Sequence, residues 1–278
     1  NTDIQVLPQK MTLVSGIKEI AAGTNHSVML TEGGYVLSVG DNYCSQLGDG
    51  SSTDRTTAVY VQNTSGNSVS DAKHIEAGGN STYISRKKDA DGKAQGMYVI
   101  GYNNYGQLGN GTTSGTTLQK QQVKSPDGKG VLENIVAISA GNYHSIALDK
   151  DGNVYTWGYN GYGQLGLGNT TNTVLPVKVD DLEGIIKIEA GNYTSYVIDN
   201  NNHLWSTGYN YCGELGNGST SNRSKFTQIQ TLENVSDVSA SETNSTIVLL
   251  SDGTVSGFGN NTNNQLTTVG GATPQQLK

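Results

Sequence analysis

The stretch Ile135–Gly166, IVAISAGNYHSIALDKDGNVYTWGYNGYGQLG, decides the fold of this 278-residue chain. Ile135–Ala140 alternates as a strand does, and Gly141-Asn142-Tyr143 turns the chain. His144–Leu148 reads as a second strand, Asp151-Gly152 carries a hairpin turn, and Val154–Gly158 returns as a third strand. The loop Tyr159–Gly166 leads to Val174-Leu175-Pro176-Val177-Lys178-Val179. This is a fourth strand with proline near its start, where a missing N–H is tolerated. Four short antiparallel strands in succession make one blade of a β-propeller.

Outward from this stretch the pattern recurs. Its Ala-Gly pair stands at Ala22-Gly23, Ala77-Gly78, Ala140-Gly141 and Ala190-Gly191, and degenerates to Ala240-Ser241. The glycine closing the third strand stands at Gly40, Gly101, Gly158, Gly208 and Gly259, in steps of 61, 57, 50 and 51 residues. A period of that length is the mark of a blade array. The chain is therefore expected to be all-β: a single β-propeller domain over residues 1–278, with four-stranded antiparallel blades. Its repeats run at about 17–62, 72–124, 135–179, 185–229 and 235–277. Residues 1–16 are expected to hold the terminal strand of a preceding or closing blade, because Val6-Leu7-Pro8 mirrors Val174-Leu175-Pro176. Ala272-Thr273-Pro274-Gln275 mirrors the same element. The N-terminal strand thus either closes the last blade, displacing residues 272–276, or belongs to a longer array.

Three motifs in order carry a resemblance. Ala-Gly-x-x-His-Ser-x-x-Leu at Ala140–Leu148, Asp-Gly-x-Val-Tyr-x-Trp-Gly at Asp151–Gly158 and Gly-Gln-Leu-Gly at Gly163–Gly166 resemble the repeat of the regulator of chromosome condensation family. The similarity covers about residues 17–277, and the fifth repeat departs from it at Ser241 and Thr267. The resemblance implies a seven-bladed propeller, so the alternative to five blades is a fragment of a seven-bladed array. In the nuclear exchange factor that names the family, a protruding β-wedge engages a Ran-type small GTPase. The lengthened hairpin Arg86–Gly96 of repeat two invites that comparison, although a long polar loop of this kind fits a plain surface hairpin better. Secreted propellers similar to the family inhibit β-lactamases. A plant UV-B sensor relies on clustered tryptophans, whereas Trp157 and Trp205 stand at offset positions on adjacent blades.

Composition narrows the function. A net charge of −7 argues against a general attraction to nucleic acid. No apolar run approaches the roughly 18 residues of a membrane span, so no membrane insertion is expected. No signal peptide is evident, and the first residue, Asn rather than Met, suggests a processed or trimmed start. Cys44 and Cys212 share one repeat position and are expected to be free thiols. They and the four histidines lack zinc spacing. Where an EF-hand would place its bidentate Glu after Asp89–Gly92 and Asp149–Gly152, the chain has Ile100 and Asn160. No metal, cofactor or catalytic residue is expected. His26 and His144 share a repeat position with Ser81, Thr194 and Asn244, which reads as a hydrogen-bonding slot rather than a general base. No nucleophile elbow or phosphate loop is present.

Tyrosine usage is lopsided, at 15 against 2 Phe and 2 Trp. Tyr143 and Tyr193 follow the Ala-Gly pair; Tyr43, Tyr102, Tyr105, Tyr159, Tyr162, Tyr209 and Tyr211 follow the third strand. Both loops follow strands running the same way, so they emerge on one face. Asn104, Asn160 and Asn210 are interleaved with them. Tyr gives stiff, amphipathic contact area and Asn gives adaptable hydrogen bonds, as in binding paratopes. The same residues also fit packing, with Tyr between blades and Asn capping turns. The expected function is a non-enzymatic module, monomeric, binding a protein or glycan partner through this loop face. It is expected to be bacterial and to act outside the cell, secreted or at the cell surface. The alternatives are a guanine-nucleotide exchange factor for a small GTPase and a protein inhibitor resembling the β-lactamase-inhibitory propellers.

Overall fold

The computed structural model describes residues 11, 14–63, 65–92, 95–266 and 271–277. These form five four-stranded antiparallel sheets, each ordered as in the chain. The first is β1 (Ile17–Ala22), β2 (His26–Thr31), β3 (Val36–Gly40) and β4 (Arg55–Tyr60). The second is β5 (Ala72–Gly78), β6 (Ser81–Arg86), β7 (Met97–Tyr102) and β8 (Thr116–Gln122). The third is β9 (Ile135–Ala140), β10 (His144–Asp149), β11 (Val154–Gly158) and β12 (Thr173–Lys178). The fourth is β13 (Ile185–Ala190), β14 (Thr194–Asp199), β15 (Leu204–Gly208) and β16 (Arg223–Gln228). The fifth is β17 (Val235–Ala240), β18 (Ser245–Leu250), β19 (Val255–Gly259) and β20 (Gly271–Gln276).

The expected all-β, four-stranded antiparallel blades are thus found. β20 pairs with β19 through Ser256↔Gln276 and Gly257↔Gln275, so the chain's own C-terminal segment fills the outer place of the fifth sheet. The displacement of residues 272–276 by the N-terminal strand is therefore not what occurs, and Val6-Leu7-Pro8 lies outside the described residues. Among the described residues no helix is long and apolar enough to cross a membrane.

The chain divides into two compact units: Asn1–Asn104 with Ser114–Val123, and Tyr105–Thr113 with Lys124–Lys278. In the first, Val28, Leu30 and Val36 of the first sheet pack on Ile75, Ile84 and Ile100 of the second. In the other, Ile146, Leu148 and Val154 meet Ile185, Ile188 and Val197, while Tyr196, Ile198 and Leu204 meet Val235, Val238 and Phe258. Each fully buried aliphatic side chain of this kind contributes roughly 1.5–3 kcal/mol.

Two glycine rows explain how the strands come so close. At Gly141 a Cβ would lie 2.3 Å from the carbonyl oxygen of Gly191 in the neighbouring sheet, so only glycine permits that approach. Gly158, with φ 100°, sits where a Cβ would be 2.5 Å from the Tyr143 carbonyl oxygen.

The histidine slot joins neighbouring blades. His26 Nε2 lies 2.9 Å from Thr82 Oγ1, and His144 Nε2 lies 2.9 Å from Ser195 Oγ. Those hydroxyls donate onward to the carbonyl oxygens of Gln46 at 2.7 Å and Gln164 at 2.8 Å. Burial pushes both imidazoles down to about 4, with Asp41 partly opposing it at His26, so both rings are neutral at pH 7. In the fifth sheet the slot holds Ser245, paired with Gly259, rather than Asn244. The turn there is one residue longer, and Asn244 takes φ 65° within it.

Candidate functional site

The loop after each third strand is held by its own side chains. Asn160 Oδ1 accepts the Leu165 amide at 2.9 Å, and its Nδ2 donates to the carbonyls of Asn169 at 3.0 Å and Thr171 at 3.1 Å. Asn210 repeats this with Leu215 at 2.9 Å, Ser219 at 2.9 Å and Ser221 at 3.0 Å. Asn42 does so with Leu47 at 2.9 Å, Ser51 at 3.1 Å and Thr53 at 3.1 Å. Asn160 and Asn210 are therefore corrected as partner-binding candidates: both are 0% exposed and spend their amides on the loop backbone. A carboxamide suits this place because it offers a donor and an acceptor to a backbone segment that no strand partner reaches.

Once the loops are fixed, six of the nominated tyrosines come together. Tyr159 N donates to Tyr143 O at 2.8 Å, and Tyr209 N to Tyr193 O at 3.0 Å, tying each third-strand loop to a first-strand loop. Tyr162 N is held by Gln164 Oε1 at 3.0 Å, and Tyr105 N by Gln107 Oε1 at 3.1 Å. Tyr105 then packs on Tyr143 and Tyr159 with centroids 5.2 and 5.0 Å apart. Tyr162 lies 6.0 Å from Tyr159, 5.2 Å from Tyr193 and 5.0 Å from Tyr209. Most of these pairs are edge-to-face, the arrangement ring quadrupoles favour. All six rings are half-buried. Burial, then the neighbouring phenols, pushes Tyr159 and Tyr193 above the usual phenol range; at Tyr209 burial and then Glu214 do so.

Tyr211 is 74% exposed, and in the first unit Tyr43 is 81% exposed. Tyr102 accepts a 2.8 Å hydrogen bond from Asn104 Nδ2, and Asn104 is exposed. Cys44 and Cys212 are both free thiols. Among the described residues no group of three or more His, Cys, Asp or Glu is placed to hold a metal ion.

Two residues escaped the reading of the sequence. At Gly161 a Cβ would lie 2.2 Å from the Tyr159 hydroxyl, so the absent side chain lets that ring lie across the loop. Gly161→Ala is expected to swing Tyr159 away while leaving the fold intact, because the residue needs no positive φ. Tyrosine ring chemical shifts read this directly; unchanged Tyr159 and Tyr162 signals would refute it. Glu214 is the second. It is 1% exposed and fills the place held by Gln46, Gln107, Gln164 and Gln265 in the other repeats. Its Oε2 accepts the Cys212 amide at 2.8 Å, and burial pushes its carboxyl above the usual range.

Comparison with known proteins agrees with this architecture. A family model of the regulator of chromosome condensation (RCC1) repeat matches residues 96–148 and 151–198, and a second model of that repeat matches 17–46, 135–164 and 185–214. The chain is 33% identical over 183 residues to the ultraviolet-B receptor UVR8 of Arabidopsis thaliana, covering 64% of this chain and 38% of that protein. It is 28% identical to the Protein RCC2 homolog of Danio rerio, over 59% of this chain and 36% of that protein. It thus spans little more than a third of the length of these relatives. Among solved structures, human WBSCR16 matches with a TM-score of 0.76 at 19% identity, over 98% of this chain and 69% of that one. Prp20p from Saccharomyces cerevisiae matches with a TM-score of 0.69 at 19% identity, over 94% of this chain and 65% of that one. At such identity these structures speak for the fold, while the repeat motifs speak for descent: this chain belongs to the regulator of chromosome condensation (RCC1) repeat family and shares its β-propeller fold.

Proposed function

We propose that this chain is a non-enzymatic interaction module that binds a protein partner through its tyrosine loops. The observation that carries the reading is the six-ring cluster of Tyr105, Tyr143, Tyr159, Tyr162, Tyr193 and Tyr209. Rings already packed on one another lose little rotamer freedom on binding, so contacts made there cost less entropy. Prp20p, a fold relative, is described with its binding properties to Gsp1p and histones. Display outside the cell belongs to the same proposal and is tested by protease shaving of intact cells. The direct test compares wild type with a Tyr105→Ala, Tyr162→Ala, Tyr211→Ala variant whose circular dichroism is native. Capture of a protein partner should fall at least about tenfold in the variant, the loss of one or more aromatic hot spots. Equal capture by both would move the site elsewhere, and capture of free glycans instead of protein would change the partner class.

A second reading, a nucleotide exchange factor, draws on the β6–β7 hairpin. Arg86 anchors its base, paired with Asp71 and lying 4.4 Å from the Tyr98 ring centre, while Lys87–Gly92 is exposed. Deleting residues 88–95 should then abolish exchange on a Ran-type GTPase without unfolding the protein. Full exchange by the deletion variant, or none by wild type, rejects it.

A further inference from the structure

Glu214 places a carboxylate where four repeats place an amide, and the first repeat shows the bonds that such an amide makes. Gln46 Oε1 accepts the Cys44 amide at 2.9 Å, and its Nε2 reaches Asp41 Oδ2 at 2.8 Å. Glu214 Oε2 keeps the first of these bonds, from the Cys212 amide at 2.8 Å. Its Oε1 holds the repeat position of Gln46 Nε2, and Tyr209 holds that of Asp41. That oxygen is buried and has no hydrogen-bond partner among the described residues. A lone buried carboxylate oxygen is a costly feature, relieved by taking up a proton or by a nearby cation.

Three rings meet at Tyr209. Tyr162, Tyr193 and Tyr209 lie with centroids 5.2, 5.0 and 6.5 Å apart and planes crossed at 73, 65 and 62°. Aromatic faces carry the negative part of the ring quadrupole, so they attract cations, and a carboxylate behind one of them strengthens that field. Beyond burial, the group that bears most on the Tyr209 phenol is Glu214. The chain as a whole carries a net charge of −7.

We infer that Tyr162, Tyr193 and Tyr209, backed by Glu214, receive a cationic side chain, Lys or Arg, presented by the protein partner. This rests on the tyrosine cluster being the partner site. Glu214 acts through the rings rather than by touching the ligand, and its replacement by Gln restores the side chain that the other repeats carry. The loop is thus expected to fold unchanged in Glu214→Gln.

The test is a titration of tyrosine ring NMR signals with arginine amide, against neutral citrulline amide at constant ionic strength. Arginine amide should shift the Tyr162, Tyr193 and Tyr209 signals saturably, citrulline amide should not, and Glu214→Gln should weaken the arginine complex about three- to tenfold. Equal shifts with citrulline amide, no saturable shift, or equal affinity in Glu214→Gln would each overturn the inference. Partner capture separates the two claims. Loss in the tyrosine variant with full retention in Glu214→Gln keeps the partner site and rejects the cation receptor. Retention in the tyrosine variant rejects the partner site itself.

Discussion

Asn160→Ala should destabilise the protein by about 3 kcal/mol, from one buried amide left unpaired at about 1–3 kcal/mol and from looser packing of the leucine it positions. The side chain is 0% exposed and makes three bonds at 3.1 Å or less, to the Leu165 amide and to the carbonyls of Asn169 and Thr171. Alanine leaves that amide without a partner beneath Leu165, itself 0% exposed. The two carbonyls lie on an exposed stretch and can turn to water, so most of the cost falls on the amide and on the leucine it positions. Asn210→Ala and Asn42→Ala should behave alike, since their bonds repeat the pattern. Tyr211→Ala, at a side chain 74% exposed, should change stability by less than about 0.5 kcal/mol. Urea unfolding decides it: an Asn160→Ala midpoint within about 1 kcal/mol of wild type would show that the loop holds itself by other means.

That contrast also marks what could be read in the chain. The blades were legible because alternation, hairpin turns and glycines recur in order; the strands expected at Ile135–Ala140 and Val154–Gly158 are β9 and β11 as found. The two loops were legible as neighbours because first and third strands run the same way. Which rings would touch was not, since Tyr105 reaches Tyr143 and Tyr159 of the following repeat through contacts made only in the fold. Composition could not separate the asparagines either. Spacing does: Asn42, Asn160 and Asn210 each stand five residues before a buried leucine, whereas exposed Asn104 stands four before Leu108. Glu214 was hidden by its likeness to Gln, because the two have the same shape and differ only once burial makes a charge expensive. At Ser245 the slip of one residue came from an extra residue in the preceding turn, which repeat spacing alone does not reveal.

Acid should destabilise the second unit by way of His144 while Glu189 opposes it, and removing either group should expose the other. His144 is 0% exposed, and burial holds it at about 4 against an ordinary 6.5. Between these values the unfolded chain binds the extra proton. Stability is thus whole above pH 6.5 and lost toward pH 4, by up to about 3 kcal/mol. Glu189 runs the other way. Burial raises it from 4.5 to about 7, with Asp237 adding to the rise and the Ala240 amide, Ser139 and Lys187 opposing it. Its Oε1 takes the Ala240 amide at 3.2 Å, bridging the fourth and fifth sheets. Here the folded protein holds the extra proton, so the contribution is whole below pH 4.5 and lost as pH rises through 7. Glu189→Gln keeps an acceptor for the Ala240 amide and removes the buried charge. At pH 8 it should therefore be more stable than wild type by about 2 kcal/mol, a value below the full linkage because the side chain is partly exposed. Near pH 4.5 the two should converge, so the variant loses more stability than wild type between pH 7 and 4.5. Urea unfolding across that range tests the pair, and a variant profile parallel to wild type would mean that Glu189 is already relieved of its burial in solution.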